Sequence, residues 1–194
     1  AEVNTLWEMD LSHNSRLERV RDVFLFGVHT GQRWSDIEAF NPGQLKGQGW
    51  DFESKKTGKR IYVPFVGFAA RAWQILEKYG FELPKLTPQR FNDYLKEVGQ
   101  LAGIESPVTI KRYSGKKELV IQKPKYEFMS SHMARRTCVT TLLQRGIPPT
   151  TVMKLTGHSD LRTLMKYEQT GQDELAKALE GVNIEAPLLR IEKN

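Results

Sequence analysis

Arginine and histidine recur at three separated places in this chain, and a tyrosine closes the series. Arg33 stands in Thr30-Gly31-Gln32-Arg33-Trp34-Ser35-Asp36, and His132 and Arg135 in Ser131-His132-Met133-Ala134-Arg135-Arg136-Thr137. His158 stands in Thr156-Gly157-His158-Ser159-Asp160, with Tyr167 nine residues further on. A guanidinium offers a planar fork of two charge-assisted hydrogen bonds that matches phosphate oxygens, which an ammonium cannot do. Two guanidiniums and an imidazole gathered at one point would neutralise the non-bridging oxygens of a phosphodiester as charge builds in its transition state. A phenol beside them becomes a nucleophile once a base takes its proton. The series reads as a phosphate cage followed by a nucleophile.

Each stretch also has a plainer reading. On a helix, His132 and Arg135 are three apart and share a face while Arg136 points elsewhere, which equally suits a solvated helix start. Arg33 follows a glycine turn and precedes Ser35 and Asp36, whose side chains would hold the guanidinium or simply cap the next helix. Tyr167 also fits the apolar side of an amphipathic helix. Taken together, in this order and at this spacing, the three motifs resemble the catalytic domain of the tyrosine recombinases, the phage-integrase family. The likeness runs from about residue 12 to residue 181, with Asp36 where glutamate is commoner in the family.

The resemblance implies a role for each residue. Arg33, Arg135 and His158 would neutralise the phosphate, His132 would take the proton of Tyr167, and Tyr167 would attack phosphorus. Lys56, in a Lys-Thr pair like the family's hairpin lysine, would protonate the leaving 5′ oxygen; Lys55 and Lys59 are adjacent alternatives. The implied product is a 3′-phosphotyrosyl DNA and a free 5′-hydroxyl, made without ATP. The expected function is a site-specific recombinase on double-stranded DNA attachment sites, a homotetramer on DNA or a monomer as an isolated domain, serving integration or excision of a mobile element. A type IB topoisomerase, which swivels one strand, and a non-catalytic DNA-binding domain are the alternatives. Family members usually carry a further N-terminal helical domain that closes around the duplex. Residues 1–10 do not supply it, so the expectation is a single catalytic domain over 1–194.

Composition agrees with a polyanionic partner. The 194 residues hold 29 Lys and Arg against 23 Asp and Glu, a formal charge of +6, which raises the odds of nucleic-acid binding without deciding it. A predicted hairpin over 108–128 concentrates Lys111, Arg112, Lys116, Lys117, Lys123 and Lys125 against Glu118 and Glu127, and with Arg136 these are candidate DNA-backbone contacts. No cofactor or metal is expected: His13, His29, His132 and His158 lack a zinc spacing. The lone Cys138 offers no intrachain disulfide. No apolar run approaches the ~20 residues that span a bilayer and no signal peptide is legible, so the expectation is a soluble, cytoplasmic protein.

The elements that must position these residues follow from periodicity. Leu17, Val20, Val23, Phe24 and Val28 predict a helix from Ser15 to His29 with one buried face, stopped by Thr30-Gly31. A short helix from Trp34 ends at Asn41-Pro42-Gly43. Trp50, Phe52, Ile61 and Val63, spaced by two around Thr57-Gly58, predict two strands and a turn. Helices follow over Val66–Tyr79 and over Pro88–Ala102, with Thr87 as N-cap and Gly103 as C-cap. Val108, Ile110, Leu119 and Ile121 flank a turn at Ser114-Gly115. Helices then run from Ser131 to Arg145, from Pro149 to a stop at Gly157, and from a Ser159 cap through Tyr167; the tail has one amphipathic stretch over 175–179. The expected fold is α+β, mainly α-helical, with a small antiparallel sheet and an additional β-hairpin.

Overall fold

Helix α2 (Ser15–Thr30) organises the chain, and every residue from Val20 to Thr30 is buried. A helix covered on all sides belongs at the centre of a bundle, so the single buried face expected from the sequence understates its position. The computed structural model describes residues 2–165 apart from 115 and 116, and the side chains of 112–117 fall outside that description. Tyr167, the 175–179 stretch and Gly115 of the expected turn lie outside the described residues.

The elements run α1 (Glu2–Glu8), α2, α3 (Trp34–Glu38), β1 (Gly49–Glu53), β2 (Arg60–Pro64), α4 (Ala70–Lys78), α5 (Pro88–Leu101), β3 (Pro107–Ser114), β4 (Lys117–Pro124), α6 (Ser131–Gln144), α7 (Pro149–Thr156) and α8 (Leu161–Met165). The expected mainly helical α+β class is what the chain adopts, with its strands in two antiparallel hairpins, β1–β2 and β3–β4. Helices α1, α4, α5 and α6 all pack on α2. Helix α1 was not expected. The helix expected from Val66 begins as a 3-10 turn, Gly67–Ala69, before α4. Thr87 occupies the N-cap of α5 without a side-chain cap bond, Pro88 supplying the start. Asp160, rather than Ser159, caps α8: its carboxylate accepts the N–H groups of Arg162 and Thr163 at 3.2 and 3.1 Å.

Strand alternation places Trp50 opposite Val63 and Phe52 opposite Ile61, and all four are buried. Trp50 stacks on Phe52 at 4.0 Å and meets Phe26 of α2 at 5.8 Å. Each such ring removed from water contributes on the order of 2 kcal/mol, which fixes the β1–β2 hairpin to the central helix. A smaller cluster of Cys138, Val139, Leu142, Val152 and Leu164 joins the far side of α6 to α7 and α8.

Close approach sets where α6 crosses α2. A Cβ at position 27 would meet the Ala134 methyl at 3.0 Å and Ile37 Cδ1 at 3.2 Å, so Gly27 lets the two backbones close up at the residue next to Arg135. Four residues on, α2 ends at Gly31 with φ +69°, a left-handed cap that glycine adopts without steric cost. A side chain there would also strike Cys138 Sγ at 2.8 Å.

Candidate active site

Arg135 is the most buried charge of the expected cage, 4% exposed. Its Nη1 donates to the carbonyls of Gly31 at 2.9 Å and Thr156 at 2.7 Å, which close the ends of α2 and α7. A cation at two helix C-termini meets the negative ends of both dipoles. Its Nη2 lies 3.1 Å from His158 Nε2. Thr156 Oγ1 spends its one proton on the Val152 carbonyl at 2.6 Å. It therefore accepts from His158 Nδ1, also at 2.6 Å, and the lone pair left on Nε2 faces Arg135. Thr156 thus sets the tautomer of His158.

Arg33 joins from the corner between α2 and α3. It donates to Ser54 Oγ at 3.4 Å and to the Gly157 carbonyl at 3.3 Å, with Asp36 Oδ2 4.0 Å away. Asp36 is buried and accepts from Ser54 Oγ at 3.1 Å and the Lys55 N–H at 2.9 Å. The acidic residue of the motif therefore pins the β1–β2 turn to the arginine corner. That turn carries Lys56, exposed. His132, exposed on the first turn of α6, has its pKa lowered by burial of the ring, then by Arg135, Arg136 and Lys56. Of the three candidate lysines, Lys56 is the one whose charge reaches His132.

The structure thus brings Arg33, Arg135 and His158 into one connected network with Lys56 and His132 beside it, and Tyr167 lies outside the described residues. Gln32 and Thr156 escaped the sequence reading. Gln32 is 1% exposed and its amide donates to the carbonyls of Thr30 and Leu155, both at 2.8 Å, which ties the Arg33 corner to the helix that precedes His158. A recess of about 390 Å³ beside His158 is lined by Lys59, Arg60, Thr150, Met153 and Lys154, so cations continue past the cage. The hairpin lysines are less exposed as charge. Lys111 pairs with Glu118 at 2.8 Å, Lys123 with Glu127 at 3.9 Å and Lys125 with Glu2 at 2.6 Å; Arg136 is exposed, and the side chains of Arg112, Lys116 and Lys117 are outside the description.

Among the described residues no group of three His, Cys, Asp or Glu side chains is placed to hold a metal ion. Burial pushes the Cys138 thiol up to about 12, so it behaves as a small hydrophobe. No helix among the described residues is long and apolar enough to cross a membrane.

Burial, then the charges of Arg135, Arg33 and His132, pushes His158 down to about 4. Burial, against a bond to the Phe68 carbonyl, does the same for His29. Unfolded histidine titrates near 6.5, so between pH 6.5 and 4 the unfolded chain binds more protons and stability must fall as the pH drops through that window. For His29, 3% exposed, the loss is on the order of 3 kcal/mol. Urea unfolding at pH 7.5 and 4.5 is expected to show it, with a smaller drop in His29→Gln.

The phage integrase family model matches residues 1–174. The chain belongs to the phage integrase family. Among solved structures, this family member is similar to XerH site-specific recombinase in a post-cleavage complex with palindromic difH substrate, at 14% identity and a TM-score of 0.59, covering 92% of this chain and 50% of that one. XerA recombinase matches at 16% identity and a TM-score of 0.62, over 92% of this chain and 62% of that one. The catalytic domain of bacteriophage HP1 integrase matches at 17% and 0.52, over 90% of this chain and 95% of that one. The chain thus spans about half the length of XerH, and these likenesses are of fold. No curated protein matches it in sequence.

Proposed function

We propose that this chain is the catalytic domain of a site-specific recombinase that cuts and rejoins DNA through a 3′-phosphotyrosyl intermediate. The observation that carries the reading is the convergence of Arg33 with Arg135 and His158, which lie more than 100 residues further along the chain, on one spot flanked by a lysine-bearing turn. The fold neighbours include XerH in complexes with difH before and after cleavage and a lambda integrase dimer on a core site, and double-stranded DNA is the substrate proposed here. A tetramer on paired attachment sites, a mobile-element role and a cytoplasmic location belong to the same proposal.

In the proposed step, His132 accepts the Tyr167 hydroxyl proton as the phenolate oxygen attacks phosphorus. Arg33 and Arg135 hold the non-bridging oxygens. His158 takes a proton from solvent as the phosphate docks, the anion opposing the charges of Arg135 and Arg33, and adds a third donor to those oxygens. The P–O5′ bond breaks and the 5′ oxygen takes a proton from Lys56. Attack by a 5′-hydroxyl from another strand reverses every transfer, so the phosphodiester energy is kept without ATP.

The test is covalent trapping. A duplex nicked so that the cleaved 5′ fragment diffuses away is expected to accumulate a protein–DNA band resistant to denaturing detergent, in EDTA as in buffer. Loss of the band in chelator, restored by Mg²⁺, would replace the arginine cage with metal chemistry. For the acid, Lys56→Ala is expected to be slowed by roughly 10²-fold or more on ordinary DNA and largely restored when the 5′ oxygen is sulfur, which leaves without a proton. Rescue of Lys55→Ala or Lys59→Ala instead would move the assignment to that lysine.

A further inference from the structure

Away from the cage, α1, α4 and the C-terminal ends of α2 and α6 enclose a cleft of about 440 Å³ whose polar lining includes Asn4, His29, Arg71, Thr141 and Arg145. His29 is the informative member. Its ring is wedged between Trp7 at 6.1 Å and Phe68 at 4.9 Å. Nδ1 lies 2.8 Å from the Phe68 carbonyl, and since a carbonyl only accepts, Nδ1 carries the proton. Nε2 is buried and has no hydrogen-bond partner. A buried nitrogen left unpaired costs on the order of 1–3 kcal/mol, and such a group calls for an explanation.

The two arginines are as unusual. Arg71 donates to Asn4 Oδ1 at 3.0 Å and lies over the Trp7 ring at 4.7 Å, and Arg145 lies over the Phe68 ring at 5.6 Å. Neither forms an ion pair with a carboxylate among the described residues. Both charges bear on the His29 ring, so the cleft gathers beside that ring two cations with no carboxylate partner among the described residues.

We propose that this cleft is a second oxyanion site, separate from the catalytic cage, which takes a phosphate-type group on Arg71, Arg145 and His29. Two guanidinium forks and an imidazole ask for more acceptor positions than a carboxylate's two oxygens, and a tetrahedral phosphate supplies them. The incoming charge draws a proton onto Nε2, which then donates to the anion and ends its isolation. The group comes either from free phosphate or from a DNA backbone. The site does not depend on the strand-transfer reading, because its readout is His29 and not cleavage.

The experiment follows the imidazole ¹⁵N resonances of the full chain. The His29 signal is assigned by its absence from His29→Gln or, should that variant not fold, by replacing the other three histidines. Inorganic phosphate, added at constant ionic strength against chloride, is expected to convert Nε2 from unprotonated to protonated and to raise the His29 titration midpoint by about one pH unit or more. A blunt duplex replaces phosphate in a second arm. A response to both or to duplex alone identifies a backbone phosphate as a ligand, and a response to phosphate alone identifies the free ion. Arg71→Gln with Arg145→Gln is expected to abolish the shift while covalent trapping on DNA survives. No shift with either ligand, or an undiminished shift in the double variant, overturns the proposal.

Discussion

Tyr167→Phe is expected to bind DNA with nearly unchanged affinity and to form no covalent adduct. Removing the oxygen proposed to attack phosphorus would leave no route to the intermediate, and losses on the order of 10⁴-fold or more accompany deletion of a catalytic nucleophile. Binding should persist because it rests on cations against phosphates and not on the phenol; it should weaken steeply with salt in both proteins. The measurement is a denaturing gel of the trapped complex beside a native binding titration. An adduct in Tyr167→Phe would assign the nucleophile to another residue. Tyr79 is a poor substitute, since it donates to Asp22 at 2.8 Å and burial, then Asp22, raises its phenol above the ordinary value.

Arg135→Ala and Arg33→Ala are expected to part company. Both should slow adduct formation by roughly 10²- to 10³-fold, the cost of losing one transition-state donor. Arg135→Ala should also destabilise the fold by about 2–4 kcal/mol, because the Gly31 and Thr156 carbonyls lose a buried charged donor. Arg33, with a side chain 20% exposed and bonds of 3.3 and 3.4 Å, should cost less than about 1 kcal/mol. Urea midpoints beside single-turnover rates separate the two. Equal stability losses would mean that Arg33 holds structure as Arg135 does.

Much of this was legible because it is local. Apolar spacing placed α2, both hairpins and α5 through α8, and glycine stops placed the corners at Gly31 and Gly157. Helix α1 was missed because seven residues with Leu6 as their one buried side chain give too short a period, and its order comes from packing on α2. Asp160 was passed over for Ser159 because both are good caps and one residue of chain separates them. The roles of Gln32 and Thr156 had no local sign: Gln32 finds its acceptor 123 residues away, and Thr156 acts through a ring whose position depends on the corner at Gly157. Helical spacing already turned Arg136 away from the face that His132 and Arg135 share, but the approach of α6 to α2 at Gly27 decides which of those faces is buried.

The clamp of Arg135 on two helix ends bears on how the cage holds together. One of its carbonyls ends α2 and the other ends α7, which meets the main core through Leu155 and joins α6 and α8 through the smaller apolar cluster. If α7 and α8 come loose, the arginine loses an anchor, His158 departs with its Thr156 partner, and Arg33 loses the Gly157 carbonyl in the same event. A chain in which α7 and α8 have come away therefore keeps the residues of the expected cage but not the contacts that gather them. Order at the cage is thereby tied to the docking of a single helix.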